Sequence, residues 1–563
     1  MTPVSFNDCF GWLHAPALGA PAGDVGVIVC QGLMRDGLLA HCSFRLLGDE
    51  LAAAGYPMLR FDYPGTGDSL DASGGHWDAW LNSIDQAAEW LKATTGVKRL
   101  ILCGLRTGAM LATVAAGKRS DVAGLLLFQP VVSGRTYVRE MILEADLQSG
   151  KTSIRGEDLD IREFLFSAAT LDQISAVDLR KAALPSGLKA ALFVRPDARQ
   201  IEECVTAWKA QGVDSEQHGW DGLVPLMRHN VIDENALADF AHVMAWLKRA
   251  VPAEPIVAKP RPPEMKLTPD GAIETPFWFG PKLFGVLSRP ASGSTDQILL
   301  IGNGGRDPHY GAARQNVDFA RHLAKNGIAC LRFDFAGLGD SVGPPGKENL
   351  LTHTFTDRLP DIRAALDALE QQGFKRFSML GLCSGAYHAF HAALVEPRLS
   401  RLLLVNMPLF QLPTHNVLDF LENRGTSATV VGRKLFSVGS WKTLLSGRSN
   451  VRTLARSAIN HARRQIAGKS QALGRKLGLI REQSFPVQAM SKLTRQGTRA
   501  LFLFSPGDEE IDAFAREFGP EGEKLAPYKG SQVRVLPRMD HDLTKAIGRR
   551  DAEQAVTEFL VSP

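Results

Sequence analysis

Short, unbroken apolar runs recur along the chain, separated by longer stretches in which apolar residues return at helical spacing. In the N-terminal half the runs fall at Val25–Cys30, 57–62, 100–103, 124–128 and 190–194. In the C-terminal half they fall at Gln297–Ile301, 329–334, 377–380, 402–405, Arg499–Phe504 and 533–536. A strand buried on both faces reads as a continuous apolar run, and such strands alternating with amphipathic helices predict a mostly parallel sheet covered by helices on both faces. Each half therefore predicts an α/β unit. Segments 275–279 and 283–287 predict an additional opening strand pair in the second half.

The two halves share more than a pattern. Leu59-Arg60-Phe61-Asp62 followed by Gly65, Gly67, Asp68 and Ser69 is matched by Leu331-Arg332-Phe333-Asp334 followed by Gly337, Gly339, Asp340 and Ser341. The segment from Arg99 to Ala109 is likewise matched by Arg376 to Ala386. Repetition at this scale predicts two homologous domains, and 563 residues exceed what one core organises. The proline-rich stretch from Val251 to Pro263 reads as a semi-rigid linker. The expected domains are residues 1–252 and 271–563, with the linker at 253–270.

Composition narrows the setting. Hydrophobic residues make up 45% and charged residues 22%, the balance of an ordinary globular protein. No apolar run approaches the roughly 20 residues that cross a bilayer. The first residues show neither the basic nor the apolar region of a secretory signal. Seven cysteines, scattered without C-x-x-C spacing, argue for a reducing, cytoplasmic setting and against a disulfide frame or a zinc site. No H-E-x-x-H is present, and Gly343 to Lys347 lacks the spacing of a phosphate-binding loop. Neither metal nor cofactor is expected.

The chemistry concentrates at Gly381-Leu382-Cys383-Ser384-Gly385, between the apolar run 377–380 and a helical stretch from Ala386 to Leu394. Glycines on either side allow a tight strand-to-helix turn that holds the middle side chain out at a helix N-terminus. A helix N-terminus and a neighbouring imidazole lower a thiol pKa from about 8.5, so Cys383 is the candidate nucleophile. Two later elements supply partners in the order nucleophile, acid, base. Strand 499–504 runs into Ser505-Pro506-Gly507-Asp508, and strand 533–536 runs into a loop that presents His541. His541 is the expected base and Asp508 its orienting acid. Asp540 and Asp542 flank His541 too closely in sequence to reach its Nδ1 side. The oxyanion donors are expected to be the backbone N–H of Ser384 and, from the glycine-rich loop after Gln297–Ile301, that of Gly305.

On these motifs both halves resemble α/β hydrolases, and the Asp-x-x-Gly-x-Gly-Asp-Ser turns at 62–69 and 334–341 resemble the serine-aminopeptidase-like branch. The resemblance implies two tandem α/β-hydrolase domains and acyl chemistry without a fixed substrate, because the fold hosts esterases, thioesterases, peptidases, acyltransferases and lyases. The chain departs from the family's serine at Cys383, although cysteine triads resembling this one occur in dienelactone-hydrolase-like and polyhydroxyalkanoate-synthase-like enzymes. The expected function is ester or thioester hydrolysis through an acyl-cysteine. The alternatives are acyl transfer to a sugar, amine or carrier, and a binding scaffold in which both elbows are inactive. In the first half Arg106 stands at the nucleophile position, and a permanently protonated guanidinium cannot attack a carbonyl. That half is expected to be non-catalytic, with Pro196-Asp197 and His229 as loose remnants of acid and base.

Between 424 and 495 lie fifteen lysines and arginines against the single acid Glu482. This stretch occupies the position where the fold inserts a cap, expected at about 410–496. It fits either a surface that steers an anionic small-molecule or carrier-bound acyl substrate, or a solvated helical insertion. It lacks the interleaved aromatics of a single-strand binder, so no nucleic-acid partner is expected. Oligomeric state is not legible.

Overall fold

The computed structural model describes residues 1–17, 21–72, 76–149, 156–161, 164–195, 199–221, 240–256, 265, 267–305, 307–343, 357–411, 483–543 and 545–562. Two eight-stranded sheets organise them. The first contains β1 (Thr2–Phe6), β2 (Cys9–His14), β3 (Val25–Cys30), β4 (Met58–Phe61), β5 (Arg99–Leu105), β6 (Val122–Phe128), β7 (Lys189–Val194) and β8 (Asp214–Gly219). The second contains β9 (Ala272–Phe279), β10 (Leu283–Pro290), β11 (Gln297–Ile301), β12 (Ala329–Phe333), β13 (Arg376–Leu382), β14 (Leu399–Val405), β15 (Arg499–Phe504) and β16 (Gln532–Val535). Their orders are β1-β2-β4-β3-β5-β6-β7-β8 and β9-β10-β12-β11-β13-β14-β15-β16, the same topology twice. In each, two antiparallel strands lead into a parallel sheet. Every residue of β3 and of β11 is buried, which explains why all but Gln297, whose amide donates to the Leu560 carbonyl, are apolar. Among the described residues no helix is long and apolar enough to cross a membrane.

Packing divides the chain into two compact units, Met1–Ser294 with Arg306–His353 and Thr295–Gly305 with Thr354–Pro563. The first unit therefore holds the repeated Arg-x-Asp turn of both halves. Within each turn the aspartate that opens the motif accepts the backbone N–H of the one that closes it, Asp68 to Asp62 Oδ2 at 3.0 Å and Asp340 to Asp334 Oδ2 at 2.9 Å. The serines repeat the same bonds. Ser69 Oγ donates to the Asp62 carbonyl and accepts from Phe10 N–H, while Ser341 Oγ does so with Asp334 and Phe284.

Between turns, the ion pairs are exchanged. Arg60 lies 3.1 Å from Asp340, and Arg332 lies 2.8 Å from Asp68. His309 completes the set, with Nε2 2.6 Å from Asp68 and Nδ1 2.8 Å from Asp334. All these groups are buried. Burial alone would keep His309 neutral, but Asp68 and Asp334 hold it protonated, well above the usual histidine range. Trp12 packs edge-on against Phe284 beside the cluster, with ring centroids 4.5 Å apart.

Candidate active site

The second unit carries the expected nucleophile. β13 ends at Leu382, and Cys383 takes φ 54°, ψ −118° as the N-cap of helix Ser384–Ala393. This left-handed conformation is strained for a residue with a side chain and is found where surrounding structure imposes it. Its N–H donates to the Val405 carbonyl at 2.9 Å, which fixes the turn against β14. A Cβ on Gly381 would run into Gly385, and one on Gly385 would come within 2.7 Å of the Asn303 carbonyl. Both flanking glycines are thus required by close backbone packing.

The structure brings Cys383, His541 and Asp508 together. His541 Nδ1 lies 2.8 Å from Asp508 Oδ2, and its ring also hydrogen-bonds the Cys383 sulfur. The Nδ1 contact with Asp508 leaves the Nε2 side for that sulfur. Asp508 is the N-cap residue of helix Glu509–Phe518 without a side-chain capping bond, and its carboxylate bonds the imidazole. Burial would lower the His541 pKa, but the bonds to Asp508 and Cys383 outweigh it and push the ring up to about 11. A protonated imidazole against a sulfur at a helix N-terminus favours the thiolate.

The oxyanion donors are arranged differently from the expectation. Gly305 and Ser384 do meet, but Gly305 N–H donates to Ser384 Oγ at 2.9 Å and is already engaged. Ser384 N–H, in the first turn of its helix, has no intrahelical acceptor. The first repeat shows the same bond, from Leu33 N–H to Thr107 Oγ1 at 2.9 Å. Its elbow residue Arg106 also keeps the strained conformation, φ 51°, ψ −110°, and donates through Nε to buried Asp36 at 3.0 Å. Asp197 and His229 lie outside the described residues, as do residues 412–482 of the expected cap. The cap's last part, Phe485–Gln496, is a helix that buries Ala489, Met490 and Leu493.

Two groups place histidine and carboxylate ligand atoms within 4.8 Å of one another, His309 with Asp334 and Asp340, and Asp508 with Glu510 and His541. Both His309 nitrogens are committed to carboxylates. Those of His541 are committed to Asp508 and Cys383.

Residues 33–155 match the family model described as serine aminopeptidase, S33, and residues 298–546 match that of the alpha/beta hydrolase family. The chain belongs to the α/β-hydrolase superfamily. Solved structures similar to this chain include Est1E from Butyrivibrio proteoclasticus with bound ferulic acid, at 14% identity over 39% of this chain and 89% of that one, with a TM-score of 0.30. The alpha/beta hydrolase GrgF from Penicillium sp. sh18 is 15% identical over 44% and 97%, with a TM-score of 0.31. A Pyrococcus furiosus esterase is 15% identical over 44% and 89%, also with a TM-score of 0.31. No curated protein matches the chain.

Sequence reasoning missed Asn406, which follows β14 and bonds to both the Ser505 and His541 segments. The only signal was its place in the repeat, where Gln129 follows β6 in the same way.

Proposed function

We propose that the second repeat cleaves an ester or thioester through a covalent acyl-cysteine. The observation that carries this reading is the Asp508–His541–Cys383 chain of hydrogen bonds on a strained elbow. In this mechanism the Cys383 sulfur attacks the acyl carbon. The tetrahedral oxyanion is held by Ser384 N–H, joined by Gly305 N–H when the Ser384 hydroxyl turns away. Collapse breaks the bond to the leaving oxygen or sulfur, which takes the His541 proton. Neutral His541 then deprotonates a water, which attacks the acyl-cysteine and releases the acid and the thiolate. Asp508 holds the ring orientation and stabilises the imidazolium throughout.

The cysteine itself supports a second reading, acyl transfer, because an acyl-cysteine is a thioester and reacts readily with amines and thiols. The basic sequence from 424 to 495 suits an anionic or carrier-bound donor. Arg106, paired with Asp36, gives the first repeat a non-catalytic role in this account. Turnover of a short acyl thioester, with and without an added amine or thiol acceptor, tests both readings. Release of free acid without acceptor marks a hydrolase, release only with acceptor marks a transferase, and no release in either condition contradicts both.

A further inference from the structure

The acid and the base sit on separate loops, and one buried side chain joins them. Asn406, the residue after β14, is fully buried and takes φ 45°. Its backbone N–H donates to the Leu503 carbonyl at 2.9 Å, which anchors it to β15. Its amide then serves two loops. Oδ1 accepts Ser505 N–H at 2.9 Å, and Nδ2 donates to Ser505 Oγ at 2.8 Å. Nδ2 donates as well to the carbonyl of His541 itself at 2.8 Å. Ser505 begins the turn that delivers Asp508. One amide thus fixes the base of the turn that delivers Asp508 and the backbone of His541 itself.

The first repeat provides an internal comparison. Gln129 follows β6 as Asn406 follows β14, takes φ 44°, and donates its N–H to the Phe193 carbonyl at 2.9 Å. Its side chain is one methylene longer, and among the described residues Nε2 is buried without a hydrogen-bond partner. The backbone device is therefore kept in both repeats, and the bonds from Asn406 to Ser505 and His541 build on it beside the cysteine. We propose that Asn406 is a positioning residue that keeps His541 between Asp508 and Cys383. The inference rests on the reading that these three side chains act together. The chemistry selects asparagine: the site needs one acceptor and two donor directions from a short, uncharged side chain. Aspartate would lose the donors and bury a charge, and leucine would strand three polar groups.

The test compares the parent with Asn406→Asp, following alkylation of Cys383 by iodoacetamide against pH by intact mass, with a thermal melt as the fold control. The parent should alkylate rapidly at and below neutrality. In the variant the profile should move toward that of an ordinary thiol titrating near about 8.5. Turnover should fall roughly 10- to 100-fold with KM within about twofold, as expected for lost orientation rather than lost binding. Should Asn406→Asp not fold, Ser505→Ala removes one of the clamp's bonds and should give a smaller shift in the same direction. A folded variant of either kind with the parent's alkylation profile would overturn the proposal. A parent whose profile is already that of an ordinary thiol, and is unmoved by His541→Ala, would instead end the underlying triad reading and this inference with it.

Discussion

Arg332 of the second repeat reaches Asp68 of the first, Nη1 to Oδ1 at 2.8 Å, at a site closed to solvent. Arg60 makes the reciprocal contact with Asp340. Each repeated turn thus supplies a cation to the other turn's closing aspartate. A buried charge stripped of its partner costs more than the pair contributes, because desolvation is not recovered. This makes the first repeat part of the setting in which the second repeat's β12 and its turn fold.

Arg332→Met removes the guanidinium shared by Asp68 and Glu274, leaving Asp68 with His309 and Glu274 with Arg321, and should therefore lower the unfolding free energy by about 3 kcal/mol, the lower end of the usual cost of breaking a buried pair. Combining it with Asp68→Asn should cost less than the sum of the two single changes, since the groups are coupled. Urea denaturation of the four proteins measures this. Strict additivity would show that the contact carries no coupling.

The pH dependence of the candidate site follows from His541. Its folded pKa of about 11 lies above the unfolded histidine value, held up by Asp508 and Cys383 against burial. The stabilisation it brings is full below about 6.5 and is lost as pH rises through the folded value. Acylation should accordingly persist through neutral pH and fall on an alkaline limb approaching 11. Asp508→Asn removes the carboxylate, so the limb should move to lower pH and turnover should drop about 10³- to 10⁴-fold. A pH–rate profile identical to the parent's would contradict the assigned role of Asp508.

Arg106 is predicted to be structural. Arg106→Ala leaves Asp36 buried without its guanidinium and should cost about 1–3 kcal/mol in stability, while acylation at Cys383 stays within about twofold of the parent. Thermal melts and acylation rates test the two parts separately. A large loss of acylation without loss of stability would assign Arg106 to the chemistry.

Much of this was legible in sequence, for physical reasons. Buried parallel strands announce themselves as apolar runs, and the elbow requires glycines where backbones collide, so β3, β11 and the Cys383 turn could be read directly. β8, Asp214–Gly219, escaped notice because an edge strand need not be apolar, and its sequence is polar throughout. β1 and β2 form an antiparallel hairpin through Asn7 and Asp8, both at positive φ, a two-residue turn that lacks the glycine by which such turns are usually recognised. The exchanged ion pairs were hidden because both turns carry the same residues, and identical motifs do not say whether arginine serves its own aspartate or its counterpart's. The engagement of Gly305 by Ser384 depends on a side-chain rotamer, which spacing cannot specify.

Whether Cys383 accepts an acyl group is read from intact mass after brief exposure of the protein to a short activated acyl ester. A single acyl adduct is expected on the parent and on Arg106→Ala, absent from Cys383→Ala and strongly reduced in His541→Ala. No adduct on the parent, or one that survives Cys383→Ala, would contradict that role for Cys383.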